Sequence, residues 1–133
     1  MNFVENKIVE CGQVIGNDIL KVDCFLNHQI DSEFADKVGQ LFASSFKDFD
    51  KVLTIETSGV AFALTTAIHK GFAPVVFAKK SKSKIVDLSK CYMTNIKSFT
   101  RGFVSEVTVD KKYLSKNDKV LIVDDNKLNL KVL

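Results

Sequence analysis

The fold is decided by residues 51–78, which read KVLTIETSGVAFALTTAIHKGFAPVVFA. The β-branched run at the start of this stretch predicts a buried strand over Lys51–Glu56. Thr57–Gly59 has the composition of a turn, and the apolar residues after it predict a helix over Val60–Lys70. Gly71 is expected to end that helix, because glycine adopts the left-handed conformation of a helix terminus at no steric cost.

The segments that follow extend this beginning into a sheet. Pro74 precedes a second predicted buried strand, Val75–Ala78, so the order is strand, turn, helix and strand. That βαβ order implies parallel pairing and a right-handed crossover. Lys119–Asp125 predicts a third buried strand of the parallel kind. Between them, Tyr92–Ser98 and Phe103–Val109 alternate polar and apolar residues, which is typical of an antiparallel hairpin.

The residues before this stretch supply two more helices. One is predicted over Phe3–Cys11 and ends at Gly12, and Asp18–Val22 follows as a short extended piece. Asp31 is a good N-cap for the second helix. One face of that helix is formed by apolar and small residues, namely Phe34, Val38, Leu41, Phe42 and Ser45. The predicted class is therefore α/β, in a single domain over residues 1–133.

Composition excludes several classes of protein. With 46% hydrophobic residues, 26% charged residues and a net charge of +3, the chain resembles an ordinary globular protein. A charge this small does not point to nucleic acid or to a membrane surface. Met1–Glu10 lacks the hydrophobic core of a signal peptide, so export is not expected. Cys11, Cys24 and Cys91 are irregularly spaced, which favours reduced thiols in a cytosol over a disulfide framework.

A turn at the end of the first predicted strand is a candidate anion site. It contains Glu56, Thr57, Ser58 and Gly59, and we call it the anion turn. Successive backbone N–H groups with a helix dipole behind them bind anions, and glycine would let the backbone approach a phosphate closely. The alternative is a simple connection in which Ser58 caps the helix with its side chain.

Two charged features follow the other strands. The basic run, Lys79–Lys84, begins with Lys79 and Lys80 and could neutralise a polyphosphate, although a solvated surface loop explains the same residues. Asp124 and Asp125, the acidic pair, could hold ribose hydroxyls or a hydrated Mg²⁺. They could equally be loop residues that cap a following helix.

The polar loop, Lys21–Ile30, is neither periodic nor alternating and is rich in amide and imidazole groups. Such a loop could bind the edge of a heterocycle. Cys24 and His28 are four residues apart, but without a second pair of ligands a zinc site is not expected. His69 falls late in a predicted helix and is expected to be a surface residue there.

Taken in order, these segments resemble those of the bacterial xanthine phosphoribosyltransferase family. The resemblance runs at a consistent register from about Lys7 to Asp125. Leu20–Asp31 resembles the base-recognition segment, and Thr54–Gly59 resembles the pyrophosphate turn. Pro74–Lys80 resembles the start of a mobile loop, and Ser98–Thr100 a later part of that loop. Val120–Asp125 is similar to the strand that opens the donor signature.

The resemblance implies a type I phosphoribosyltransferase fold, with a mostly parallel sheet flanked by helices and an antiparallel hairpin. It implies transfer of a 5-phosphoribosyl group from phosphoribosyl pyrophosphate to N9 of xanthine, with Mg²⁺ as cofactor. Leu20 and Asn27 would then contact the base, and the backbone of Thr57–Gly59 the pyrophosphate. A cytoplasmic homodimer that acts in purine salvage is also implied, and eleven phenylalanines suggest an apolar surface compatible with pairing.

The same resemblance assigns the charged features. Asp124 and Asp125 would bind the ribose hydroxyls, without a direct protein metal site. Lys79 and Lys80 would lie on a mobile loop that shelters the reaction from water and helps to neutralise the leaving group.

The last residues depart from the family pattern. Asn126–Leu133 contains no glycine where the family has a small-residue loop around the 5′-phosphate, and we treat Leu128, Asn129 and Leu130 as a degraded phosphate loop. We expect a truncated or frameshifted end, which would leave Val120–Val123 as an exposed apolar edge. The alternative function is therefore a catalytically inactive purine or nucleotide binder, a fragment or a sensor.

Overall fold

The computed structural model describes residues 2–17, 19–80, 87–97 and 104–125. Three helices, seven strands and a short 3-10 helix are defined among these residues. In chain order they are α1 (Phe3–Cys11), β1 (Gln13–Ile15), β2 (Ile19–Lys21), α2 (Ser32–Ser45), β3 (Lys51–Ile55), α3 (Gly59–His69), β4 (Val75–Ala78), the 3-10 helix (Leu88–Lys90), β5 (Cys91–Lys97), β6 (Val104–Asp110) and β7 (Val120–Ile122).

The central sheet has the predicted parallel topology. Its order is β4-β3-β7, and β3 pairs in parallel with both neighbours. Val52 of β3 lies opposite Val75 of β4 and Leu121 of β7. The βαβ unit and the α/β class are confirmed, and the three carboxyl ends lie along one edge of the sheet.

Two antiparallel pairs complete the strands. β1 pairs with β2, and β5 pairs with β6 from Cys91 opposite Asp110 to Lys97 opposite Val104. The predicted hairpin is therefore confirmed, while its tip lies outside the described residues. Lys79, directly after β4, bridges Thr108 of β6 and joins the hairpin to the central sheet.

The helix ends follow from local hydrogen bonds. Asn2 and Glu5 form a capping box at the start of α1, a signal that the sequence analysis missed. The Asp31 carboxylate accepts a hydrogen bond from the Phe34 N–H at 3.0 Å, as expected of an N-cap. After α3, Gly71 has φ of 71°, which confirms its predicted use in ending that helix.

The core lies between the helices and one face of the sheet. Val52 and Thr54 of β3 are fully buried against it. The Phe34 ring meets the rings of Phe25 and Phe62 edge to face, with centroids 5.1 and 6.2 Å apart. The phenylalanines expected to form an apolar surface are thus partly core residues. No helix in the described part of the chain is long and apolar enough to span a bilayer.

The predicted face of α2 is buried only in part. Phe34 and Val38 are buried and Phe42 packs against the core, whereas Leu41 is 46% exposed and Ser45 is exposed. β4 was expected to be buried, yet Phe77 is 45% exposed because β4 is an edge strand of the described sheet.

Candidate functional site

The parallel sheet brings the anion turn and the acidic pair together. β3 and β7 are neighbours, so the residues after their carboxyl ends meet although 67 positions of sequence separate them. The Ser58 hydroxyl donates a hydrogen bond to Asp125 Oδ2 at 2.6 Å. Two features predicted separately from the sequence therefore form one polar site at the edge where ligands bind in open parallel sheets.

The Ser58 side chain does not cap α3, which was the alternative interpretation of this turn. It occupies the N-cap position of α3 with φ of −66° and ψ of −31°, and its side chain makes no capping hydrogen bond. The hydroxyl is directed to Asp125 instead. The simple capped turn is therefore wrong, and the first amides of α3, which have no acceptor inside the helix, remain available to an anion.

Gly59 lets α3 start directly against the ends of two strands. A Cβ atom at this position would lie 2.5 Å from Thr54 Oγ1 and 2.9 Å from Asp124 Oδ1. Both distances are shorter than any ordinary van der Waals contact. A glycine is thus required here for close packing on the strand and the acidic pair, in addition to its predicted use in letting a phosphate approach the backbone.

Glu56 connects the anion turn to the basic run. Its Oε1 accepts a hydrogen bond from the Lys80 N–H at 2.8 Å, and its own N–H donates to the Ala78 carbonyl at 3.0 Å. The peptide bond between Glu56 and Thr57 is cis. Lys79 and Lys80 are exposed beside the turn, and the rest of the basic run lies outside the described residues.

The acidic pair offers oxygen ligands on a fixed backbone. The Asp125 N–H donates to Asp124 Oδ1 at 2.9 Å, and Asp125 is the more exposed of the two. No group of three or more His, Cys, Asp or Glu side chains that could hold a metal ion occurs in residues 2–17, 19–80, 87–97 and 104–125. Two carboxylates suit a hydrated Mg²⁺ that arrives on a polyphosphate, because this ion keeps waters and substrate oxygens as ligands.

The polar loop is compact and anchored by one aromatic side chain. Its backbone closes on itself through hydrogen bonds from Leu26 to Val22 at 3.1 Å and from Gln29 to Asp23 at 2.9 Å. Phe25 is 2% exposed and fixes the loop to the core. This anchoring directs other side chains outward, and Asn27 and His28 are exposed, as a loop that binds a heterocycle requires. Leu20 is the middle residue of β2.

An ion pair fixes the polar loop between α1 and α2. Lys7 Nζ lies 2.6 Å from Asp31 Oδ2. The hydrogen bond from Lys7, followed by that from the Phe34 N–H, lowers the pKa of the Asp31 carboxyl, and the same contact raises the pKa of Lys7. Asp31 therefore joins three elements, because it caps α2, pairs with α1 and ends the loop.

A row of phenylalanines connects the polar loop to α3. Phe25 of the loop packs on Phe34 of α2, which packs on Phe62 one turn into α3. Among the described residues no hydrogen bond joins the polar loop to the anion turn. Phe34 was predicted to lie on a helix face, but the row was not predicted, because its three members come from separate segments.

A cavity of about 940 Å³ lies between β4 and the hairpin. Its lining begins at Lys51 and Pro74, near the amino ends of β3 and β4, and continues along β4 to Phe77 and Lys79. Of the predicted site residues only Lys79 contributes to it. Leu128, Asn129 and Leu130 lie outside the described residues.

Curated relatives match nearly the whole chain. The sequence is 50% identical over 127 residues to the xanthine phosphoribosyltransferase of Clostridioides difficile strain 630, in a match that covers 94% of the chain and 66% of that relative. It is 45% identical to the xanthine phosphoribosyltransferase of Bifidobacterium adolescentis, covering 100% of the chain and 69% of the relative. The chain thus spans slightly less than two thirds of the first relative's length. No protein-family model matches the sequence.

Solved structures confirm the expected fold. An adenine phosphoribosyltransferase from Giardia lamblia, complexed with 9-deazaadenine, superposes with a TM-score of 0.69 at 18% identity, covering 92% of this chain and 67% of that one. The enzyme of the same name from Thermoanaerobacter pseudethanolicus gives a TM-score of 0.63 at 15% identity, covering 88% and 67%. At these identities the structural similarity establishes only the fold, which is that of the phosphoribosyltransferases.

Proposed function

The chain belongs to the xanthine phosphoribosyltransferase family, and from this membership we propose that it transfers a 5-phosphoribosyl group from phosphoribosyl pyrophosphate to N9 of xanthine. The products are xanthosine monophosphate and pyrophosphate. The observation that carries the proposal is the hydrogen bond between Ser58 and Asp125, because it joins the turn that we propose binds the pyrophosphate to the carboxylates that we propose bind the ribose. A sugar-phosphate donor needs both kinds of group at one place.

In this proposal the anion turn binds the leaving pyrophosphate. The amides of Thr57 and Ser58 precede α3 and that of Gly59 begins it, so the dipole of an 11-residue helix adds to their attraction for a developing negative charge. Mg²⁺ bound to the donor would supply further neutralisation of the phosphate oxygens. Lys79 and Lys80 are exposed next to Glu56 and can approach the same charge.

The acidic pair orients the ribose. Carboxylates accept hydrogen bonds from neighbouring hydroxyls, and a negative charge close to the sugar favours the cationic character that develops as the glycosidic bond breaks. Asp124 is fixed by the Asp125 N–H, so its second oxygen has a defined direction. The Ser58–Asp125 hydrogen bond must yield, in part, to a ribose hydroxyl when the donor binds.

The polar loop recognises the base. Xanthine differs from hypoxanthine by a 2-oxo group, and the exposed Asn27 amide can donate a hydrogen bond to it. Leu20 supplies apolar contact. A cytoplasmic homodimer in purine salvage is the setting that fits these roles, and the exposed Phe72, at 81%, is an apolar residue that a second subunit could cover.

The experiment is a pyrophosphate-release assay on the purified chain with donor, Mg²⁺ and xanthine, run beside hypoxanthine and guanine. Xanthine-dependent release is the expected result. A folded chain that binds xanthine without releasing pyrophosphate would instead identify a purine-binding fragment or sensor, and a chain that binds no purine would contradict both functions.

Asn27→Ala tests the base-binding role, with Asn117→Ala as the matched control because Asn117 is also exposed in a turn, far along the chain. Asn27→Ala should weaken xanthine binding about 10-fold or more, the effect of one lost hydrogen bond, and hypoxanthine binding far less. Asn117→Ala should change neither. Equal losses for both purines would remove Asn27 from the 2-oxo contact.

A further inference from the structure

Two cysteines meet where the end of α1 contacts the polar loop. Cys11 is the last residue of α1, and Cys24 lies in the loop, 13 positions later. The Cys24 thiol donates a hydrogen bond to the Cys11 carbonyl oxygen at 3.3 Å. Both residues are half-buried and pack against the hydrophobic core. A sulfur that already reaches the backbone of another cysteine can approach its sulfur by rotation about side-chain bonds.

The surrounding contacts keep these thiols in place. The Cys24 carbonyl accepts a hydrogen bond from Gln29 Nε2 at 2.9 Å, and Gln29 N–H donates to Asp23 at 2.9 Å. On the other side, the Lys7–Asp31 ion pair holds α1 against the end of the loop. These contacts hold the loop backbone against the end of α1, so the Cys24 thiol stays beside the Cys11 backbone.

The local electrostatics act in two directions on Cys24. Burial, and then hydrogen bonding with the Cys11 thiol, raise the pKa of the Cys24 thiol. The Lys7 ammonium has the smaller, opposite effect, because a nearby positive charge favours a thiolate. The protonated pair is thus stable in the resting protein, while a basic group lies close enough to assist a thiolate when one forms.

We propose that Cys11 and Cys24 are a reversible oxidation site that reacts with low-molecular-weight disulfides. One protein thiolate attacks a sulfur of the reagent, which forms a mixed disulfide and releases one small thiol. The neighbouring cysteine then attacks the mixed disulfide and releases the second small thiol. The protein loses two electrons and two protons, both of which are carried away on the two released thiols, and α1 becomes covalently joined to the polar loop.

Cys91 provides the internal comparison. It is the first residue of β5, in the hairpin, and is also half-buried. It pairs with Asp110 of β6 in the hairpin and makes no described contact with Cys11 or Cys24, so the proposal predicts that Cys91 forms at most a mixed disulfide. The oxidation site stands independently of the transferase function, because it depends only on the α1–loop contact.

The test uses the full chain as Cys91→Ser, reduced and then incubated with oxidised glutathione under native conditions. Intact mass spectrometry should show a product lighter by two hydrogen atoms, and proteolysis should yield the peptide of Cys11 linked to that of Cys24. The cross-linked chain should melt about 5–10 °C higher than the reduced one, because the bond restricts the unfolded state. Dithiothreitol should reverse both changes.

Two single-thiol variants serve as controls, Cys91→Ser combined with Cys11→Ser and Cys91→Ser combined with Cys24→Ala. Each should gain one glutathionyl group and never the lighter mass. The proposal is overturned if Cys91→Ser accumulates stable glutathionylated protein without the internal cross-link. It is overturned equally if the native chain stays reduced under conditions in which the urea-unfolded chain forms the Cys11–Cys24 bond.

Discussion

The anion turn and the polar loop reach their geometry in opposite ways. Ser58 and Asp125 are 67 positions apart and meet only because β3 and β7 pair, whereas Gln29 reaches Cys24 across five positions. One region is assembled by the topology of the whole sheet and the other mainly by its own segment and the adjoining helix. A disturbance of the sheet should therefore change the first region and spare much of the second.

Gly59→Ala should have the largest effect on stability, and it alters the anion turn, whose geometry depends on the pairing of β3 with β7. The added Cβ would meet Thr54 and Asp124 at 2.5 and 2.9 Å, so α3 must move away from the strand ends. We expect a loss of about 3 kcal/mol in the free energy of unfolding, as for other overpacked sites. Urea denaturation followed by circular dichroism measures it.

Gly16→Ala is the control for that substitution. Gly16 has φ of 64° but nothing within 4 Å of the new Cβ, so only backbone strain of about 1 kcal/mol applies. If the two variants lose equal stability, close packing at Gly59 is not what holds the helix start in place.

Asp31→Ala should have the next largest effect on stability, and it alters the polar loop, whose geometry depends mainly on its own segment and the adjoining helix. It removes the N-cap of α2 and the partner of Lys7 in one step. We expect Tm to decrease by about 5 °C, with increased amide exchange in the polar loop. Asp23→Ala is the control, because Asp23 pairs only with Lys21 at 3.3 Å on the surface, and it should leave Tm nearly unchanged.

The stabilisation that the Lys7–Asp31 ion pair provides should depend on pH. The pKa of Asp31 in the folded chain lies below its ordinary value of 3.8, so its stabilising contribution is present above about pH 4 and is lost as pH falls through the folded value. Lys7→Met removes the main cause of that shift. The stability difference between the natural chain and Lys7→Met should therefore shrink between pH 6 and about pH 3 in urea titrations. A difference that is constant with pH would show that Lys7 contributes through packing alone.

Ser58→Ala should have the smallest effect on stability. The hydrogen bond to Asp125 is exposed, so its loss should cost about 0.5 kcal/mol. Pyrophosphate binding, measured by calorimetry, should weaken more than xanthine binding does, because only the anion turn is altered. Ser44→Ala is the matched control, since that hydroxyl bonds only to the Leu41 carbonyl of its own helix, and it should change neither affinity.

Sequence reasoning predicted the parts of this site that depend on local pattern. The βαβ unit, the hairpin and the N-cap at Asp31 follow from periodicity and residue type, and all three are confirmed. The role of the Ser58 hydroxyl could not be predicted, because a serine before a helix is an equally good cap and only the pairing of β3 with β7 presents Asp125 to it.

The contacts that were missed share one cause. The Phe25–Phe34–Phe62 row and the hydrogen bond between Glu56 and Lys80 each join segments whose spacing carries no periodic signal. The exposure of Leu41 has the same origin, since a helical pattern reports which residues share a face but not where another helix crosses it.

The glycine at the start of α3 also limits how this chain can change by mutation. Every amino acid other than glycine carries a Cβ, and at this position each would meet Thr54 and Asp124 at the same short distances. A lineage that alters the anion turn must therefore reshape the strand ends first, or change several positions together. The close packing of Gly59 therefore prevents this part of the fold from evolving by single substitutions at that position.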